Sequence, residues 1–255
     1  KEAIKNGIDL VISGAGLPID LPAIAKGSKT KLVPIVSSLK SASVILKMWD
    51  RKSNTTPDAL IIEGPKAGGH LGFKLDELES EEEVKTNKDF DLEIKNIISL
   101  LKDYEKKYSK SIPVILAGGI NTREDMKHAF SLGAQGIQVG TKFITTKECD
   151  ADIRYKQAYL NVDKKDLAII KSPVGMPGRA IRNTLIEKVS KARIPVSKCF
   201  KCVSSCNPLT TPYCITEALI LAAQGDIENG LLFCGANIQK HPGLRSVAEV
   251  LEDFF

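Results

Sequence analysis

One histidine stands where catalytic residues are expected in an α/β protein. His70 follows the glycine pair Gly68-Gly69, and the apolar run Ala59–Ile62 precedes them. Apolar residues without alternation are typical of a strand buried on both faces of a parallel sheet. The segments after such strands carry the chemistry of many barrel and open α/β enzymes. A structural histidine bonded to backbone is the alternative, but the strand and the glycine pair favour a role in proton transfer near neutral pH.

Two further glycine-bearing segments follow predicted strands, Gly118-Gly119 and Gly140-Thr141. Backbone N–H groups at these residues can point at one phosphate, and the Thr141 hydroxyl adds a donor. The alternative is that the glycines only form turns. Their position at successive strand ends favours phosphate binding. A cofactor with one phosphate and a flat redox ring, flavin mononucleotide (FMN), suits this pattern, because no G-x-G-x-x-G fingerprint opens a helix after a strand.

A third feature is a cluster of four cysteines within 16 residues: Cys199, Cys202, Cys206 and Cys214. Thiolates at such spacing suit zinc or an iron–sulfur cluster. The spacing matches neither a ferredoxin run nor a zinc ribbon. The alternative is a set of free, partly buried thiols in a small subdomain, and the sequence leaves both interpretations open.

Predicted strands and helices alternate through the first 150 residues, which indicates βα units with a parallel sheet and right-handed crossovers. The predicted strands are residues 9–13, 32–36, 59–62, 112–116 and 136–139, and the predicted helices are 21–25, 41–51, 90–108 and 123–132. The strands at 9–13 and 59–62 are expected to be buried. Five units do not close an eight-stranded barrel. The sheet is therefore either open or preceded by three further units.

The pattern changes after residue 150, so we predict a first domain at 1–150 and a mostly helical, cysteine-rich extension at 151–255. Helices are predicted at 215–223 and 246–254, and residues 152–160 and 164–170 are predicted to be helical or mixed. Residues 171–182 are rich in proline and glycine, which predicts a wrapping loop rather than a core element.

Composition narrows the functional classes. The net charge of +5 is spread over scattered lysines and arginines, so no nucleic-acid-binding stripe is expected. No apolar run approaches 18 residues, so no membrane span is expected. Six cysteines without a visible signal peptide fit a reducing compartment better than a disulfide framework. These features predict a cytoplasmic protein.

Several segments resemble the nitronate monooxygenase family, also called 2-nitropropane dioxygenases. They are VISGAGLP (11–18), IIEGPKAGGHLG (61–72), VILAGGI (114–120), IQVGTKF (137–143), ECDA (148–151), SPVGMPGRAIRN (172–183) and YCITEAL (213–219). The resemblance runs from about residue 7 to 240. It implies an FMN-binding TIM barrel with a small added domain, of which this chain matches the last five barrel strands.

The resemblance also implies roles for individual residues. His70 matches the base that removes the α-proton of a nitroalkane or assists the nitronate. Glu63 and Gly68 match positions lining the flavin, next to Gly69, and Glu63 stands where many relatives have Gln. The FMN phosphate loops match Gly119 and Gln138, Val139, Gly140 and Thr141, with Gly118 alongside.

The expected enzyme is an FMN-dependent oxidoreductase that converts alkyl nitronates or nitroalkanes and O2 into a carbonyl compound and nitrite. The first alternative is the related FMN- and NADH-dependent enoyl-acyl-carrier-protein reductase, which shares four of these motifs. The second alternative is a non-catalytic fragment.

Overall fold

A computed structural model describes residues 1–78, 83–203, 206–238 and 243–255. The strands are β1 (Leu10–Ser13), β2 (Lys31–Val36), β3 (Leu60–Glu63), β4 (Gly69–His70), β5 (Val114–Ala117), β6 (Gly136–Gln138), β7 (Leu167–Lys171) and β8 (Pro177–Ile181). The helices are α1 (Glu2–Lys5), α2 (Leu21–Ile24), α3 (Leu39–Ser53), α4 (Leu75–Leu78), α5 (Glu83–Tyr108), α6 (Arg123–Ser131), α7 (Thr141–Ile144), α8 (Ile153–Asn161), α9 (Thr184–Lys191), α10 (Ile215–Ala223) and α11 (Val247–Leu251). A 3-10 turn covers Lys164–Asp166.

The chain forms two compact units. Unit 1 contains Lys1–Pro65, Ser80–Gly118 and Glu124–Gln138. Unit 2 contains Lys66–Glu79, Gly119–Arg123 and Val139–Phe255. The segments that follow β3, β5 and β6 therefore belong to unit 2, which differs from the domain boundary predicted at residue 150.

Unit 1 is built on a parallel sheet with the strand order β1-β2-β3-β5-β6. Each strand pairs with the next one along this part of the chain, as successive βα units do in a barrel. The five predicted strands are confirmed to within two residues. Apolar runs explain their position, since Leu60, Ile61 and Ile62 of β3 are at most 1% exposed.

Strand β1 is an exception to the predicted burial. Leu10 is 44% exposed and Ile12 is 50% exposed. The expectation of a buried strand at residues 9–13 was therefore wrong. The physical reason is that β1 is an edge strand, which pairs only with β2 among the described residues.

Helix α3 shows why predicted helix boundaries differ from those observed. It begins at Leu39 rather than Ser41, because Ser38 and Ser41 form a reciprocal capping box. Trp49 on its inner face is fully buried, and the indole N–H donates to the Pro18 carbonyl at 3.0 Å. No helix in the described ranges is long and apolar enough to cross a membrane.

Unit 2 contains an antiparallel sheet with the order β4-β8-β7. The loop predicted at 171–182 was wrong, since Lys171 ends β7 and Pro177–Ile181 forms β8. Pro177 and Gly178 lie in β8, whereas Pro173 and Gly175 lie in the connecting turn. There Gly175 has a φ of +85° and donates its N–H to the Ser172 carbonyl at 2.9 Å. Apolar Ile170 and Ala180 on either side of that turn are buried.

Candidate functional site

In unit 1, three residues form a row across adjacent strand ends. Glu63 of β3 is in register with Ala117 of β5, which is in register with Gln138 of β6. Residues in register on parallel strands present their side chains on the same face. The predicted site residues Glu63 and Gln138 are thus brought to one edge of the sheet, on strands that flank β5.

The Glu63 carboxyl group lies above an apolar face of this sheet. Ile61, two residues earlier on the same face, packs in a buried cluster with Val33 and Ala117. Burial raises the pKa of Glu63 from 4.5 to about 7. At neutral pH a large fraction of this carboxyl group is therefore protonated. In that form it donates as well as accepts hydrogen bonds, as the amide of Gln does.

The predicted phosphate-binding glycines have distinct local environments. Gly118 and Gly119 both adopt left-handed backbone conformations, with φ of +92° and +81°. A side chain at Gly119 would lie 2.7 Å from Cβ of Lys66, so glycine is required by packing there. Gly140, by contrast, has open space where a Cβ would lie and a φ of −121°. Val139 before it is half-buried.

In unit 2, one segment contacts the three regions that contain His70, Gly119 and Thr141. We call residues 233–237 the clamp segment. Its Ala236 N–H donates to the Lys66 carbonyl at 3.0 Å, and its Gly235 N–H donates to Oγ1 of Thr141 at 2.9 Å. The Asn237 side-chain amide donates to the Gly119 carbonyl at 2.5 Å. The segments containing His70, Gly119 and Thr141 are thus held together by one short stretch of chain.

Packing within unit 2 requires glycine at position 68. A Cβ at this position would lie 2.5 Å from the backbone carbonyl carbon of Cys234 and 2.7 Å from the Gly235 nitrogen. The close approach is therefore to the clamp segment. Gly69 adopts a φ of +77°, and the nearest atom to a Cβ there is 4.0 Å away.

His70 lies in β4 rather than in a free loop. It is in register with Gly178 of β8, and the following Leu71 N–H donates to the Pro177 carbonyl at 2.8 Å. Its ring makes an edge contact with Phe233 of the clamp segment, with the ring centroids 5.1 Å apart. The imidazole therefore has a fixed orientation, set by a strand pairing and an aromatic contact.

The closest polar partner of His70 is Ser172, at the start of the β7–β8 turn. The imidazole Nε2 lies 2.7 Å from Oγ of Ser172, a side chain that is 2% exposed. Burial lowers the pKa of His70 below its usual value of 6.5, so the ring is neutral at pH 7. When Nε2 carries the proton and donates it to Ser172, Nδ1 is the basic nitrogen.

Arg179 is a second residue that the sequence did not assign. This side chain is 9% exposed, and its Nη1 donates to the Ala67 carbonyl at 2.6 Å. Its backbone carbonyl accepts from the Cys234 N–H at 3.2 Å. Arg179 thus fastens both the segment before His70 and the clamp segment to β8. The only signal in the sequence was its place in the motif at 172–183.

The predicted metal centre is not supported. In the parts of the chain that the structure describes, no group of three or more His, Cys, Asp or Glu side chains is arranged to hold a metal ion. Cys199 and Cys202 are exposed, and Cys206 and Cys214 are half-buried. All four line one cavity without forming a ligand set. The alternative of free thiols agrees with this arrangement.

The fold and strand-end residues define an α/β protein of the TIM-barrel type. FabK from Thermotoga maritima superposes with a TM-score of 0.71 at 25% identity, covering 99% of this chain and 68% of that one. Nitroalkane oxidase from Streptomyces ansochromogenes gives a TM-score of 0.66 at 18% identity, covering 99% and 65%. At 18% identity, the similarity to nitroalkane oxidase supports a shared fold and nothing further.

The family follows from the sequence comparison. The nitronate monooxygenase family profile matches residues 2–255, and the chain belongs to this family. A probable nitronate monooxygenase from Staphylococcus aureus (strain Newman) is 29% identical over 189 residues, which cover 74% of this chain and 48% of that protein. One from strain JH9 is 33% identical over 134 residues, covering 52% and 34%. The chain thus spans about half or less of the length of these curated relatives.

Proposed function

We propose that this chain carries the proton-transfer and FMN-binding residues of an FMN-dependent nitronate monooxygenase. The observation that carries the proposal is the neutral, half-buried imidazole of His70, held by Ser172 in a member of this family. The proposed substrates are alkyl nitronates and nitroalkanes with O2, and the products are a carbonyl compound and nitrite.

His70 has a definite task in this reaction. Nδ1 of the neutral ring removes the α-proton of a nitroalkane, which leaves the nitronate anion and an imidazolium. The Ser172 Oγ accepts the Nε2 hydrogen bond, which becomes stronger as the ring gains charge. The edge contact with Phe233 keeps the ring orientation fixed during the transfer. FMN, when bound, supplies the redox chemistry with O2.

The residues of unit 2 fit a phosphate group. Gly140 has free space around its backbone, and Gly119 presents its backbone in a left-handed conformation. The Thr141 hydroxyl accepts from Gly235, so its own O–H is available as a donor. We propose that Gly119, Val139, Gly140 and Thr141 bind the FMN phosphate, next to Gly118.

Polar groups of unit 1 suit the edge of a flavin ring. Glu63 in its protonated form and Gln138 both donate and accept hydrogen bonds. We propose that Glu63 and Gln138 line the flavin. For Gly68 and Gly69 of unit 2, we propose the same role from the family resemblance. The burial that raises the pKa of Glu63 to about 7 supports this role, because the protonated carboxyl group is uncharged and donates a hydrogen bond, as does the Gln found in many relatives.

The experiment uses the purified 255-residue chain. FMN is added, its fluorescence quenching is titrated, and nitrite release from nitroethane and from preformed ethyl nitronate is measured. We expect saturable FMN binding and nitrite formation. FMN binding without nitrite, together with NADH oxidation by a crotonyl thioester, would instead establish the enoyl-reductase alternative. Absence of FMN binding and of both activities would support the non-catalytic fragment.

A further inference from the structure

The proposed reaction gives no role to residues 245–254, which we call the arm segment. This segment is joined to the chain that follows α7 by backbone hydrogen bonds. The Arg245 N–H donates to the Thr145 carbonyl at 3.3 Å, and the Arg245 carbonyl accepts from the Lys147 N–H at 2.8 Å. The arm segment is therefore fixed beside the helix that begins with the predicted phosphate-binding residue Thr141.

One lysine side chain connects the arm segment with both predicted phosphate-binding regions of unit 2. Lys142 follows Thr141 in α7, and Asn121 lies two residues after Gly119. The Lys142 Nζ donates to the Asn121 carbonyl at 2.6 Å and lies 2.5 Å from Oδ2 of Asp253 in the arm segment. The Lys142 side chain is only 16% exposed. Three distant stretches of chain therefore meet at one largely enclosed ammonium group.

Asp253 is itself held in place by the arm segment. Nη1 of Arg245 donates to Oδ2 of Asp253 at 2.6 Å, and Nη2 donates to Oδ1 at 2.9 Å. Such a two-point contact fixes the orientation of a carboxylate as well as its position. The Lys142 Nζ also lies 5.1 Å from the ring centroid of Phe254, a side chain that is 2% exposed. The arm segment thus offers the ammonium group of Lys142 a preformed place.

We propose that Lys142 and Asp253 are positioning residues for the cofactor phosphate, through which the arm segment sets the spacing between Gly119 and Thr141. The inference rests on the proposed function. Donors from two segments bind one phosphate tightly only when the segments already have the right separation, because ordering them on binding costs free energy. Neither the Lys142 nor the Asp253 side chain needs to touch the phosphate in this role.

The charges of this group distinguish positioning from electrostatic attraction. Lys142 and Arg245 are cations that share the Asp253 carboxylate, so Asp253→Asn leaves one more positive charge beside the proposed phosphate site. Attraction alone would then strengthen the binding of an anion. A positioning role predicts the opposite, because Lys142 loses the partner that fixes it.

The test titrates FMN into the purified 255-residue chain and follows the quenching of flavin fluorescence. We expect Asp253→Asn and Lys142→Met each to weaken FMN binding about tenfold, as the loss of a hydrogen bond between charged groups does. The double variant should bind FMN no more weakly than the weaker single variant, because both substitutions break the same connection.

Each substitution has a matched control. Glu252→Gln removes the same charge as Asp253→Asn, from an exposed side chain one position earlier. Lys147→Met makes the same change as Lys142→Met in a side chain that is 63% exposed and lies 3.9 Å from the Glu249 carboxylate. An exposed pair of this kind contributes little, so we expect both controls to stay within about twofold of the wild-type FMN affinity.

A second readout needs no cofactor. Amide hydrogen exchange, followed by mass spectrometry, reports how firmly each segment is held in the free protein. We expect peptides covering residues 119–123 and 141–148 to exchange at least severalfold faster in Asp253→Asn than in wild type or Glu252→Gln. Peptides from β3 should keep the wild-type rate, which shows that the variant is folded.

The possible outcomes separate this inference from the proposed function. Tighter or unchanged FMN binding by Asp253→Asn overturns the inference, and so does unchanged exchange at residues 119–123 and 141–148, even if nitrite is released. Weaker FMN binding and faster exchange support it, even if no substrate yields nitrite and the proposed reaction fails. Absence of FMN binding by wild type overturns both. If Asp253→Asn does not fold, Lys142→Met and Lys147→Met decide the inference by the same two measurements.

Discussion

The imidazole Nε2 of His70 lies 2.7 Å from the hydroxyl oxygen of Ser172, although the two residues are 102 positions apart in the chain. Strand pairing explains this contact. His70 is in register with Gly178 in β8, and the turn that begins at Ser172 leads into β8. A serine hydroxyl both donates and accepts hydrogen bonds, so this contact fits either ring tautomer, and the proposed reaction uses the one in which Nε2 carries the proton and Nδ1 is basic.

Ser172 is expected to position His70 rather than to react itself. Ser172→Ala removes the hydrogen-bond partner of Nε2, so we expect kcat for nitroethane to fall roughly tenfold with little change in KM. Ser172→Thr keeps the hydroxyl group and should retain most of the activity. Steady-state nitrite release at several pH values measures both variants. Equal kcat in Ser172→Ala and wild type would remove Ser172 from the mechanism.

The pH dependence with a nitroalkane substrate follows from the burial of His70. Burial lowers the pKa of the ring below 6.5 in the folded protein, so the neutral, basic form persists to lower pH than in a free imidazole. We expect kcat/KM to fall only on the acid side of pH 6.5. The Glu63→Gln variant removes the titration of the Glu63 carboxyl group from the profile. A fall that is half complete above pH 6.5 in that variant contradicts the assignment.

Glu63 makes the stability of unit 1 depend on pH. Its pKa is raised from 4.5 to about 7 in the folded protein, so the folded state binds more protons than the unfolded state between these values. The contribution of Glu63 to stability is therefore full below pH 4.5 and is lost as pH rises through about 7. We expect this loss to amount to about 1–3 kcal/mol.

The measurement for Glu63 uses the single tryptophan of the chain. Trp49 is buried in unit 1, the same unit as Glu63, so its fluorescence reports the urea unfolding of that unit. The comparison is the wild-type free energy of unfolding minus that of Glu63→Gln at pH 5 and at pH 8. We expect this difference to be less favourable to wild type at pH 8 than at pH 5. An equal or more favourable difference at pH 8 would argue against a buried carboxyl group.

Two glycines allow packing to be separated from ligand binding. Gly68→Ala places a methyl group 2.5 Å from the Cys234 backbone, so we expect lower thermal stability and loss of activity.

Gly140→Ala places a methyl group in open space at an ordinary φ, so we expect an unchanged melting temperature. If the phosphate lies there, we expect at least tenfold weaker FMN binding. Thermal melts and FMN titrations check both variants. Unchanged FMN affinity in Gly140→Ala would exclude Gly140 from the phosphate site.

The parallel sheet could be predicted because each of its inner strands is a short apolar run, such as Leu60–Ile62. The roles expected of the strand-end residues Glu63 and Gln138 came from the resemblance to the nitronate monooxygenase family. The β7–β8 hairpin was missed because prolines and glycines are spread over both its turn and the start of β8, where they are typical of a loop. The buried residues Ile170 and Ala180 are too few to show as an apolar run.

Contacts between distant residues could not be derived from the sequence. Ser172 and the clamp segment contact residues that are about 100 or more positions away in the chain. Local periodicity of the sequence does not predict such contacts. The exposure of β1 depends on which strands pair beside it, and the cysteine spacing does not specify whether four thiols converge on one point. Each of these features is set by tertiary packing.

The central claim is that His70 removes the α-proton of the substrate. The most direct test is nitrite release by wild type and His70→Asn at equal FMN occupancy, with nitroethane and with preformed ethyl nitronate. We predict that His70→Asn lowers kcat/KM for nitroethane by about 10²–10⁴-fold and for the nitronate by less than tenfold, because the nitronate has already lost the proton. Equal nitrite release from nitroethane by the two proteins would contradict this account.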